Sequence, residues 1–168
     1  MFFPNHQGLY DVLAMIETSP RFFSIVAKIE LMKIGFLRTV FKVMGAYVID
    51  REDVRQSMKV IQSVSEDVKN GKSFLIFPEG TRSRNGNEIG EFKGGSFKSA
   101  TKAKCPIVPV AIIDSYKAFD TKSIEKVTVQ VHYLEPLYYD DYKMLKTNEI
   151  AEIVSKKIKK TIDNYTKC

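Results

Sequence analysis

The sequence predicts an α/β fold: a single domain on a mixed, mostly parallel sheet flanked by helices. Three observations predict it. Apolar runs of strand length recur along the chain, segments of helical periodicity alternate with them, and two of the runs end abruptly in charged residues. Ligands in such folds sit beyond the carboxyl ends of the strands, so those polar stops are the places to search for chemistry.

In chain order, "LYDVLAMIE" (9–17) reads as a short helix and "SIVAKI" (24–29) as a strand. Residues 30–44 look helical, with Gly45 as the stop, and "AYVID" (46–50) reads as a short buried strand. Residues 52–69 give the clearest helix, because Val54, Met58, Ile61, Val64 and Val68 recur at helical spacing before Asn70-Gly71. "SFLIF" (73–77) has the length and composition of a fully buried strand. A second short helix is expected over 95–104 and a strand over 106–112. "KVTVQVHYL" (126–134) alternates in part and suits a strand near an edge, where His132 is expected to find a local partner. Residues 147–165 form a closing helix with Ile150, Ile153, Val154, Ile158 and Ile162 on its apolar side.

The 168 residues suffice for one domain with a real core, and the composition, 44% apolar and 27% charged, is that of a globular protein. No repeat, low-complexity stretch or linker divides the chain. A net charge of +6 favours an anionic partner without choosing among nucleic acid, an anionic membrane and an acidic protein. Two cysteines, Cys105 and Cys168, are too few for a disulfide framework, and the expected setting is cytoplasmic or cytoplasm-facing. No stretch approaches the roughly 18 uncharged apolar residues of a spanning helix, so a membrane role is expected to be peripheral.

Four segments carry candidate chemistry. In "FPEGTRS" (77–83), Pro78 ends the strand, Gly80 permits a positive φ, and Arg82 presents a planar fork suited to phosphate oxygens. Thr81 and Ser83 add hydroxyl donors and Lys93 lies just beyond, which together suit a phosphate cradle. A solvated turn with an Arg–Glu pair reads the same residues equally well. In "NHQGLYD" (5–11), His6 is a candidate general base and Asp11 its orienting acid. Five residues along one helix put side chains about 140° apart, so the two meet only if His6 precedes the helix and Asp11 lies in its first turns. In "GAYVIDR" (45–51), Arg51 leaves a strand end as a second phosphate ligand or as a surface partner of Asp50 or Glu52. "IVPVAI" (107–112) is a buried strand that at most shapes a pocket wall. A His–Asp pair without a neighbouring Ser or Cys suggests that the substrate brings the nucleophile, and the cationic turns suggest that it carries phosphate.

These four blocks, in this order, resemble the glycerolipid acyltransferase family, most closely its 1-acylglycerol-3-phosphate acyltransferases. The resemblance covers residue 5 to about residue 112 and rests mainly on "FPEGTRS". It implies that His6, in the HX4D motif, takes the proton from the free hydroxyl of a lysophosphatidate-like acceptor while Asp11 orients it. The acceptor oxygen then attacks an acyl thioester of coenzyme A or acyl carrier protein, with no cofactor and no metal. It also implies that Arg51, Glu79, Gly80, Thr81 and Arg82 hold the acceptor and its phosphate, with Asn5, Ser83 and Lys93 as possible support. The expected setting is the cytoplasmic face of a membrane, peripherally bound. Many family members carry Ser where this chain has Gly8. The family also has a membrane-docking stretch before its first block, whereas only Met1–Pro4 precede Asn5 here, so the expectation is an acyltransferase domain over 1–168 without that stretch. Lys28, Lys33, Arg38 and Lys42, interspersed with apolar residues over 28–44, offer a basic amphipathic substitute, or else the rim of a core-facing helix.

Other acceptors (glycerol phosphate or another lysophospholipid) and a non-catalytic lipid- or phosphate-binding module fit the same residues. A nucleic-acid-binding domain fits only the charge, since the basic residues are scattered and no recognition motif is present.

Overall fold

The computed structural model describes residues 1–50, 52–121 and 123–166. Six strands form one sheet in the order β3-β2-β4-β1-β5-β6: β1 (Phe2–Pro4), β2 (Ser24–Lys28), β3 (Tyr47–Ile49), β4 (Phe74–Leu75), β5 (Val108–Ile113) and β6 (Gln130–Tyr133). All pairings are parallel except β5 with β6. The predicted mixed, mostly parallel sheet is therefore present. One of its two central strands, β1, comes from Phe2–Pro4, a segment to which the sequence reading gave no element.

The helices are α1 (Asp11–Thr18), α2 (Gly35–Val43), α3 (Val54–Lys69), α4 (Lys98–Ala103), α5 (Tyr116–Phe119), α6 (Tyr139–Tyr142) and α7 (Thr147–Thr166). Strand alternation sorts the core onto two faces. Phe3, Phe74, Ala111 and Ile113 face one way and pack with Val64 of α3, Ala100 of α4 and Ile150, Val154 and Ile158 of α7. Phe2, Leu75, Val110 and Ile112 face the other way and pack with Met15 of α1 and Phe41 of α2.

Several expected elements are shorter or broken. The helix expected over 30–44 is a 3₁₀ turn, Ile29–Lys33, followed by α2, with Ile34 in extended conformation between them. The segment 95–104 likewise divides into a 3₁₀ turn, Gly94–Phe97, and α4. "AYVID" is not a buried strand: β3 is an edge strand, and all three of its residues are half-buried. Only Phe74 and Leu75 of "SFLIF" are strand residues, because Pro78 and the turn after it draw the chain away from the ladder. Gly45 and Gly71 close α2 and α3 with φ of 63° and 90°, as the sequence suggested. β6 lies at the other edge, where His132 Nε2 is 3.1 Å from Gln130 Oε1.

Candidate active site

The carboxyl end of β1 opens directly into the residues of the first block. Pro4 has no N–H, and the pairing with β5 continues through a side chain instead. The Asn5 amide donates to the Ile112 carbonyl at 2.9 Å and accepts from the Ile112 N–H at 2.7 Å. Asn5 thus pins the start of the turn. His6 follows in that turn, and Asp11 is the first residue of α1. This is the arrangement under which the two side chains can meet, and His6 Nδ1 lies 2.6 Å from Asp11 Oδ2. With the proton on Nδ1 and donated to Asp11, Nε2 is left as the basic nitrogen.

Asp11 is fully buried, and its charge is compensated by donors on every side. Oδ2 also accepts the N–H groups of Gln7 at 2.7 Å and Gly8 at 3.1 Å, while Oδ1 accepts the Ser115 hydroxyl. Gln7 extends the network: its carbonyl oxygen accepts the Ser115 N–H at 3.1 Å and its amide donates to Asn87 Oδ1 at 2.8 Å. The imidazole stacks on Phe77, with ring centres 4.0 Å apart and planes at 19°. Hydrogen bond and stack together fix the ring's tilt, and its side chain retains 21% exposure.

The "FPEGTRS" turn hangs from the same histidine. Glu79 Oε1 accepts the His6 N–H at 2.7 Å, and the Ser83 N–H donates to the His6 carbonyl at 2.9 Å. Glu79 Oε2 accepts the Gly90 N–H at 2.8 Å, so both oxygens of this buried carboxylate face main chain. The geometry makes Glu79 a clasp between turns. Burial is the leading cause that raises its carboxyl pKa above the ordinary value, partly opposed by the two N–H donors. Gly80 has φ 73°, the left-handed conformation expected of it. Thr81 is exposed, and Arg82 is half-buried with Nη1 2.9 Å from Asp120 Oδ1. The Ser83 hydroxyl is buried and has no hydrogen-bond partner among the described residues. Lys93 is exposed; its N–H holds the Pro78 carbonyl at 3.0 Å, and it lines an apolar cavity of about 240 Å³ that Phe77, Val26, Ile49, Val60 and Ile76 also border. Arg51 lies outside the described residues.

His6, Asp11, Glu79, Gly80, Arg82 and Ser83 are thus brought together at one end of the sheet, while Lys93 belongs to the cavity. Sequence reasoning missed Phe77, Gln7, Ser115 and Asp120. Ser115 had a usable signal, because Asp114-Ser115 is another polar stop directly after an apolar strand. A larger cavity of about 440 Å³, between Asn87–Ile89 and α7, touches neither His6 nor Arg82.

The profile of the Acyltransferase family matches residues 1–113. A 1-acyl-sn-glycerol-3-phosphate acyltransferase of Helicobacter pylori is 33% identical over 121 residues, 72% of this chain and 51% of that protein. The human 1-acyl-sn-glycerol-3-phosphate acyltransferase beta is 32% identical over 136 residues, 79% of this chain and 49% of that protein. The crystal structure of the 1-acyl-sn-glycerophosphate acyltransferase PlsC from Thermotoga maritima superposes with a TM-score of 0.78 at 25% identity, over 99% of this chain and 66% of that one. The chain spans about half the length of the two sequence relatives. The family match takes in every described block of the site, and the chain belongs to the Acyltransferase family.

Proposed function

We propose that this chain is the transfer domain of a 1-acylglycerol-3-phosphate O-acyltransferase, which moves a fatty acyl group from a thioester to the free hydroxyl of lysophosphatidate and gives phosphatidic acid. One observation carries the reading: His6 is oriented by Asp11 at 2.6 Å, and its own backbone holds the arginine-bearing turn. A base and an anion clamp on two turns clasped at one backbone suit an acceptor with its hydroxyl a short distance from its phosphate.

His6 Nε2 takes the hydroxyl proton as the acceptor oxygen attacks the thioester carbonyl. The new C–O bond forms, the C–S bond breaks, and the imidazolium returns its proton to the departing thiolate. Asp11 stabilises the imidazolium through Nδ1. Arg82 holds the phosphate, which converts remote binding into alignment of the hydroxyl on His6. The cavity beside Phe77 is apolar and is the place this reading gives to the acyl chain. The chemistry calls for no metal or cofactor, since the acceptor brings the nucleophile and the donor brings the leaving group.

The reading includes peripheral docking on an anionic membrane. No helix among the described residues is long and apolar enough to cross one. Leu9 and the α1 residues Leu13 and Ile16 are exposed, as are Ile29 and Ile34 on either side of Lys33, in a segment leaving the same carboxyl end of the sheet as His6. Exposed apolar side chains with basic neighbours at the rim suit an interface of acyl chains and phosphates. The test is transfer from oleoyl coenzyme A and oleoyl acyl carrier protein to lysophosphatidate on mixed micelles, with phosphatidate and free thiol both measured. Equal amounts of the two products with one donor are expected. Binding of lysophosphatidate without product from either donor would contradict the reading in favour of a binding module.

A further inference from the structure

Asp120 follows α5, at the exposed end of the short segment whose buried end is Ser115. Its two carboxylate oxygens have separate partners. Oδ1 lies 2.9 Å from Arg82 Nη1, and Oδ2 accepts the Leu9 N–H at 3.0 Å. The carboxylate also rests against the main chain of Gly8, because a Cβ built there would lie 2.5 Å from Oδ2. It therefore sits against Gly8, two residues along the chain from His6, held by one guanidinium N–H and one main-chain N–H. That is the donor set a phosphate oxygen takes.

A side chain at position 8 would push the carboxylate away. The family resemblance leads to a serine there, and this chain has Gly8. Glycine makes the room that the Asp120 carboxylate fills. The Arg82–Asp120 pair is only partly buried, with side-chain exposures of 28% and 31%. Such a pair is weak enough for an incoming dianion to break.

We propose that Asp120 is an internal stand-in for the acceptor phosphate. In the free protein its carboxylate occupies the anion position on Arg82 and the Leu9 N–H, and the acceptor binds by displacing it. The proposal rests on the reading of Arg82 as the phosphate ligand. Displacement lowers the apparent affinity by the fraction of molecules in which the position is open. Neutralising Asp120 should raise affinity for any phosphate monoester, whereas a residue that merely orients Arg82 would lower affinity when neutralised.

Calorimetric titration of wild type, Asp120→Asn, Asp120→Ala, Arg82→Ala and the Arg82→Ala/Asp120→Asn double variant tests this, with glycerol 3-phosphate and inorganic phosphate as the probes. Both Asp120 variants are expected to bind the two probes roughly fivefold tighter than wild type. Arg82→Ala should reduce binding of both probes by about tenfold or more in either background, and in the two single Asp120 variants the KM for lysophosphatidate should fall in parallel with the titrations. Equal or weaker binding by Asp120→Asn, with Arg82→Ala still reducing it, would overturn the stand-in and leave the phosphate reading of Arg82 intact. Binding that is indifferent to Arg82→Ala in every background would overturn both.

Discussion

The two turns that meet at His6 are built in opposite ways. The turn from Asn5 to Asp11 is buried and saturated: Asp11 is 0% exposed and engages His6, two main-chain N–H groups and Ser115. The turn around Arg82 is open, and its guanidinium keeps a partly exposed ion pair with Asp120. Glu79 and Ser83 clasp the second turn to the first through the His6 backbone; in the proposed reading the first turn carries a fixed base and the second a clamp that exchanges partners. A proton transfer tolerates little misplacement, and an anion clamp has to admit and release its ligand.

The largest effects should come from the saturated turn. His6→Ala is expected to lower kcat by ~10²–10⁴-fold with little change in KM, since general base catalysis typically contributes that much. Initial rates at saturating donor would check it. Asp11→Asn puts an amide N–H₂ in place of one of the two oxygens that accept from His6, Gln7, Gly8 and Ser115, and should cost roughly 1–3 kcal/mol for each donor left without an acceptor. Thermal unfolding and kcat should both register that loss.

The open turn should respond differently. Arg82→Ala is expected to raise the acceptor KM by about tenfold, as for one charge-assisted contact to phosphate, with kcat and unfolding midpoint nearly unchanged. A fall in unfolding midpoint like that of Asp11→Asn would break the comparison. Between the two turns stands Glu79, whose folded carboxyl pKa is raised above its ordinary 4.5 by burial. A raised value means that the folded state holds the proton more tightly. The stability from that group is full below pH 4.5 and declines as pH rises through the higher folded value. The stability of wild type relative to Glu79→Gln should therefore shrink from acid toward neutral pH, as paired denaturant titrations would show. Growth of that difference with pH would contradict the burial argument.

Patterns that repeat along the chain were legible in the sequence. Helical spacing placed α3 and α7, apolar runs placed β2, β4 and β5, and the polar stops after the strands marked the site's edge. Breaks set by tertiary contacts were not legible: Ile34 interrupts the helix expected over 30–44, and β1 is too short to show a period at all. In the site, helix geometry gave the condition for the His6–Asp11 contact, His6 before a helix and Asp11 in its first turn, and the fold meets it. The inward orientation of Glu79 was not legible in this way, because "PEGT" reads as a polar turn whichever way the carboxylate points. Ser115 and Asp120 escaped for another reason: they lie more than a hundred residues along the chain from the turn they complete.

The most direct test of a fixed base beside an adjustable clamp is a double-mutant cycle in acyl transfer to lysophosphatidate. His6→Ala, Arg82→Ala and the double variant would be compared with wild type, with kcat and KM measured separately. Independent parts predict that the double variant has the kcat of His6→Ala and the acceptor KM of Arg82→Ala, with coupling below about 0.5 kcal/mol. A kcat loss in Arg82→Ala comparable to that of His6→Ala, or a double variant no worse than either single one, would mean that the two turns act as one unit.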